Sequence, residues 1–156
     1  MKQQASSSAP LPVLLVRDAL DTDQEALDAL RRLSDELVAP QRGGRLELLT
    51  HAENESEAAL HLVAELNGLV VGALELAMTS FATGEALATV SHLFVHPSAR
   101  GVGAGRALLR HAVDYAQANS VIGIDARALP GDRATKNFFE SFGLVARAIS
   151  VHASLE

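Results

Sequence analysis

Apolar and polar positions alternate along this chain with two different periods, and the change from one to the other marks out its elements. Leu60 to Leu66 and Leu69 to Met78 are apolar-rich runs of strand length on either side of Asn67-Gly68, a dipeptide suited to a two-residue hairpin turn. Ala86 to Val95 is a third such run, so these residues predict a three-stranded antiparallel meander. Earlier, Ala26, Leu27, Leu30, Leu33, Leu37 and Val38 recur at helical spacing. They predict a helix capped by Asp21 or Thr22 and stopped at Pro40. Arg42-Gly43-Gly44 reads as a hinge before a short helix, Arg45 to His51. Val13 to Arg17 is a short opening strand. After the meander come a helix from about Gly103 to Asn119, a strand from Val121 to Ala126, and a helix capped by Asp132 that runs to about Phe142. A last strand, Val145 to His152, follows. This order predicts a mixed α/β layer fold.

Residues 1–12, with Ser6-Ser7-Ser8 and two prolines, read as a flexible N-terminal tail, and residues 13–156 as one domain. With 156 residues, 48% of them hydrophobic, the chain is large enough to bury a core. It has no cysteine, which excludes a disulfide framework, a thiol nucleophile and a thiolate metal site. The six histidines show no ligand-like pairing, so no metal site is expected. No apolar run reaches the length of a membrane span and residues 1–12 do not resemble a secretory signal, so a cytoplasmic location is expected.

The densest chemical signal is Arg100-Gly101-Val102-Gly103-Ala104-Gly105, between an apolar strand closed by His96-Pro97 and the start of a helix. Glycines at alternate positions leave the backbone bare where unsatisfied N–H groups and the positive end of a helix dipole point outward, as an anion site requires. A nucleoside-triphosphate loop would end in Gly-Lys-Ser/Thr, whereas this one continues Gly105-Arg106-Ala107. A dinucleotide fingerprint would place its third glycine where Arg106 stands, although Asp125 lies near the spacing of a ribose-binding acid. A third pattern, Arg or Gln, two residues, Gly, one residue, then Gly or Ala, is met by Arg100, Gly103 and Gly105.

With the preceding Leu93-Phe94-Val95-His96-Pro97 and the later segment Ala134 to Leu144, this stretch resembles the GCN5-related N-acetyltransferase (GNAT) superfamily, specifically over about residues 60 to 145. The resemblance implies a central mixed, mostly antiparallel sheet with helices on both faces, and transfer of acetyl from acetyl-CoA to an amine. It implies that the amides of Gly101, Val102, Gly103, Ala104, Gly105 and Arg106 hold the pyrophosphate, with charge from Arg100 and Arg106. The backbone of Leu93, Phe94 and Val95 would pair with the pantetheine arm, and the Val95 N–H would point at the thioester carbonyl. Asn137 and Phe139, on the last helix, are further cofactor-binding candidates. Many members carry a tyrosine at the position of Phe139 as the acid for the departing thiolate, and phenylalanine cannot serve as one. Tyr115, the only tyrosine, is expected to be a packing residue. The general base is left among His92, Glu75 and Ser91, on the predicted strands beside the loop.

Charge divides along the chain. Asp18 to Glu57 holds 11 acidic and 4 basic residues, while His96 to Glu156 holds 5 acidic and 7 basic. An anionic cofactor is thus expected on the C-terminal half and a cationic amine, small molecule or peptide, near the acidic helices; nucleic acid is disfavoured. The short segment after Gly143 leaves room for one strand where some members have two, which would allow completion by a second copy in a homodimer. A non-catalytic acyl-CoA-binding module is the alternative reading, kept open by Phe139.

Overall fold

The computed structural model describes residues 9–53 and 58–155, so most of the expected N-terminal tail lies outside the described residues. Among the described residues five strands and four α-helices follow one another as β1 (Leu14–Asp18), α1 (Gln24–Val38), α2 (Gly44–Glu53), β2 (Leu60–Leu66), β3 (Leu69–Ser80), β4 (Ala86–Val95), α3 (Ala104–Ala118), β5 (Ile124–Asp125) and α4 (Arg133–Glu140). The sheet order is β1-β2-β3-β4-β5; the first three pairings are antiparallel and β4 pairs with β5 in parallel. The expected mixed sheet with helices on both faces is present.

Local chemistry accounts for most of the boundaries. Asn67 and Gly68 both adopt positive φ, 52° and 83°, which gives the two-residue turn its fit to the strand twist. Asp132 caps α4 by accepting from the Thr135 N–H at 3.0 Å. The start of α1 differs from expectation, because neither Asp21 nor Thr22 caps it. The chain enters through a 3₁₀ turn, Asp21–Asp23, and the buried Asp23 carboxylate reaches back to the Leu20 N–H at 2.8 Å.

Two layers of core flank the sheet. On one face α3 presents Ala104, Leu108, Leu109, Ala112 and Ala116 to Leu62, Ala64, Leu74, Leu76, Ala88 and Val90, with Phe139 of α4 joining them. Alanines at three of those five helix positions let the α3 backbone lie close to the strands, and burial of Leu108 and Leu109 contributes about 2–3 kcal/mol each. Close approach also explains Gly72 of β3. A Cβ there would meet the Phe94 carbonyl oxygen and Val95 Cγ2 at 3.2 Å and Leu108 Cδ1 at 3.3 Å. On the other face, Leu30 of α1, with Leu27 and Leu33, packs on Ala73 and Phe94.

The C-terminal part departs from the sequence pattern. The expected strand from Val121 to Ala126 contracts to two residues, although Ile122 N–H already donates to Ala86 O. The expected last strand, Val145 to His152, does not form; Val145, Ile149, Val151 and Leu155 are 80–99% exposed. The reason is the length of β5, which offers too short an edge to template a further strand. Among the described residues the segment is tied to β5 through side chains, by the ion pair of Arg147 with Asp125. That pair also holds the Asp125 carboxyl below its ordinary range.

At the far edge of the sheet, Arg17 of β1 bridges Asp23, at 2.7 Å, and Glu65 of β2, at 2.5 Å. The Arg17 hydrogen bonds pull the Asp23 pKa down to about 2. An unfolded aspartate titrates near 4, so the stabilisation from Asp23 is complete above that pH and is lost as the pH falls from about 4 through about 2. Thermal melts should therefore show an acid-side loss of stability below pH 4 that is shallower in Asp23→Asn, a variant also less stable than wild type at pH 7.

Candidate active site: a nest of amides beside an open strand edge

β4 is bonded to β3 along its whole length but to β5 only at Ala88 and Thr89. From Val90 to Val95 its other edge has no strand beside it among the described residues. A bulge sets what that edge displays. Glu75 pairs with His92 and Leu76 with Val90, so Ser91 is the extra residue, and its Oγ donates to the Glu75 carbonyl at 3.2 Å. Beyond the bulge the His96 N–H donates to Val71 O, and alternation then gives the backbone groups of Phe94 and His92 to β3. Leu93 and Val95 face the open edge. This corrects one expectation, since the Phe94 backbone is committed within the sheet and cannot pair with an added strand.

His96 ends the strand structurally: its Nδ1 accepts from the Ser98 N–H at 3.1 Å and so caps a 3₁₀ turn, Pro97–Ala99. The glycine loop follows. Gly101 and Gly103 adopt φ of +88° and +86°, the left-handed region, and no atom lies within 4 Å of where their Cβ would stand. The first amide that α3 satisfies is that of Ala107, which donates to Gly103 O at 3.0 Å. The N–H groups from Gly101 to Arg106 find no acceptor among the described residues, and so form a nest for an anion. An open pocket of about 370 Å³ lies over them, lined also by Val95, Arg100 and Phe138.

Arg100 and Arg106 flank this pocket and form no ion pair among the described residues. Instead Arg100 stacks over the Phe94 ring, 6.0 Å from its centroid, and Arg106 over Phe142 at 5.0 Å, where it also donates to Ser141 Oγ at 3.3 Å. Aromatic rings thus orient both guanidiniums without neutralising them. Amides, free cations and room above the loop are what a pyrophosphate requires.

The other candidates fall in different places. Glu75 and His92 are cross-strand neighbours, and His61 of β2 pairs with Glu75 from the opposite side. His61, Glu75 and His92 therefore form one row on the sheet face that α1 covers. The Glu75 carboxylate accepts from Arg31 of α1 at 2.5 Å and lies 4.0 Å from His61 Nδ1. Ser91 is occupied by its own bulge. Asn137 is exposed on α4, and Phe139 is buried in the core, whereas Phe138 lines the pocket. Tyr115 packs against the core and its hydroxyl donates to Ala59 O at 3.3 Å, as expected of a packing residue. Sequence reasoning missed Arg31 and His61, because the signal that unites them with Glu75 is strand register and helix placement, which no linear spacing carries. No helix among the described residues is long and apolar enough to cross a membrane.

A model of the acetyltransferase (GNAT) family matches residues 27–144, and the chain belongs to that family. A comparison with curated proteins finds no match. Among solved structures it is similar to an acetyltransferase from Trypanosoma brucei, 23% identical, covering 92% of this chain and 100% of that one with a TM-score of 0.67. A ribosomal-protein-alanine N-acetyltransferase from Brucella melitensis is 18% identical, with 94% and 100% covered and a TM-score of 0.68. An aminoglycoside acetyltransferase from an uncultured soil metagenomic sample, in complex with trehalose, is 17% identical, with 92% and 97% covered and a TM-score of 0.68. These likenesses establish a shared fold.

Nothing crowds a Cβ at Gly103, so a substitution there strains the backbone alone. Gly103→Ala should lower the unfolding free energy by about 1 kcal/mol, read by urea denaturation.

Proposed function

We propose that this protein is an acetyl-CoA-dependent N-acetyltransferase that acetylates a primary amine of a small molecule or peptide by direct attack. The observation that carries this reading is the row of unsatisfied amides from Gly101 to Arg106, which follows the open edge at Leu93 and Val95 after one turn of the chain. The nest and the two unpaired arginines hold the cofactor's phosphates, and Leu93 and Val95 pair with its amide-bearing arm as an added strand would. Acetyl-CoA supplies the activated acetyl group. An N–H of this edge, Val95 first, donates to the thioester oxygen as charge builds on it, a contribution of about 3–4 kcal/mol for a preorganised donor.

An alkylamine with a pKa near 10 is only about one part in a thousand neutral at pH 7, a deficit of about 4 kcal/mol that the site must offset. His92 and Glu75, side by side on the face below α1, are the groups placed to take the proton, directly or through water. The thiol side needs less help. A thiolate whose acid has a pKa near 8.5 leaves at pH 7 at a cost of about 2 kcal/mol, which water can restore, so Phe139 does not prevent turnover. The buried Phe139 also favours a second reading, a non-catalytic acyl-CoA-binding module.

Thiol release from acetyl-CoA across a panel of polyamines, aminoglycosides, amino acids and N-terminal peptides separates the two. The enzyme reading expects release to be accelerated by at least one amine; tight cofactor binding with flat release across the panel supports the binding module. Arg100→Ala and Arg106→Ala should each weaken coenzyme A binding about fivefold, and less so at high salt, as expected for exposed phosphate contacts.

Residues 145–155 support assembly of two copies. Their large apolar side chains, Val145, Ile149, Val151 and Leu155, all fall on odd-numbered positions and are exposed, the pattern of a strand without a partner. Two copies pairing these segments would give a dimer in sedimentation velocity, and Ile149→Lys should then shift it to the mass of one chain. The place of action we propose is the cytoplasm.

A further inference from the structure

Arg31 has partners close at hand that it does not use. Asp28 stands three residues before it and Asp35 four after, both on neighbouring turns of α1. Its guanidinium instead crosses to the sheet, where Nη2 donates to Glu75 Oε1 at 2.5 Å. The carboxylate it meets is the middle member of the His61–Glu75–His92 row and is only 26% exposed. One residue further along β4 is Leu93, at the open edge. A lone carboxylate under a helix is poorly solvated, so a cation must sit on Glu75 in the resting protein. Arg31, 44% exposed, supplies it from a side chain that does not hold α1 down; Leu27, Leu30 and Leu33 do that.

We propose that Arg31 occupies the position that the acceptor's ammonium takes on Glu75, so that acceptor binding exchanges one cation for another and selects alkylammonium ions over uncharged molecules of the same shape. The inference rests on the N-acetyltransferase reading above and names the acceptor class for it. The exchange leaves Glu75 paired at every stage, and a partly exposed ion pair is weak enough to give way. Once displaced, Arg31 finds Asp28 and Asp35 one turn away. Among the described residues only one of the Asp28 oxygens is engaged, by Gln24 Nε2 at 2.8 Å. The acidic surface of α1 is then the second resting place of the guanidinium as well as a field that attracts cations.

The test is calorimetric titration of 1,4-diaminobutane into the full chain loaded with coenzyme A, with 1,4-butanediol as the uncharged isostere. Arg31→Gln should tighten diamine binding about five- to tenfold, Arg31→Lys should fall between that variant and wild type, and Glu75→Gln should abolish binding with or without Arg31. The diol should respond to none of these changes. Unchanged or weaker diamine binding in Arg31→Gln would overturn the proposal, because an arginine that merely positions Glu75 predicts loss on its removal. Diamine binding that survives Glu75→Gln would overturn it as well. Failure of the parent reading is separate: it would appear as absent coenzyme A binding or absent amine-dependent thiol release in wild type, whereas failure of the exchange leaves both present and appears only in the response to Arg31→Gln.

Discussion

The separation of β4 from β5 after two paired residues is the constraint on which the rest of this molecule depends. A strand inside a sheet normally spends its backbone groups on both neighbours, and here one side is left open for the length of Val90 to Val95. Unpaired backbone is costly when buried, so the fold keeps this edge at a cleft and continues it directly into the glycine loop. Edge and loop together make a run of free donors, interrupted at the turn from His96 to Arg100, where every backbone N–H is already satisfied and Pro97 has none. An extended, polar molecule ending in phosphates fits such a run better than a compact ligand would.

The two faces of the sheet divide the remaining work. α3 and α4 cover one of them with a dry core, built close because alanines face the strands and Gly72 leaves room for Leu108. α1 covers the other more loosely, over a row of ionisable groups on adjacent strands. The side that needs rigidity to aim the loop is thus the well-packed one. The side where an acceptor would approach is polar and partly open, and its guanidinium can move without disturbing apolar contacts.

Much of this was legible in the sequence, and what was missed has physical causes. The meander, the Asn67-Gly68 turn, the cap at Asp132 and the anion loop are local signals, set by residues within one turn or one strand of one another. The cap on α1 was misplaced because Asp23 answers to Arg17 and Leu20 as well as to its own helix, and a tertiary ion pair overrode the local preference. The last strand was misread because alternation records what a segment could pair with and says nothing of whether a long enough edge is present. Phe94 looked equivalent to Leu93 and Val95 until register assigned its backbone to β3. Arg31 and His61 carried no signal at all in one dimension, since what brings them to Glu75 is the packing of α1 on β3 and β4 and the register of β2 with β3.

The bulge at Ser91 has a consequence for which changes this region can absorb. Before it, the even-numbered residues Ala88 and Val90 face α3; after it, the odd-numbered Leu93 and Val95 do. One extra residue is what lets a single continuous strand satisfy the same core with both parities while turning different backbone groups toward the cleft. Between Val90 and Gly101, therefore, length is held more tightly than composition. A swap of one apolar side chain for another alters packing by a methyl group or two, whereas an insertion or deletion of one residue would turn every donor along the edge to the wrong side at once.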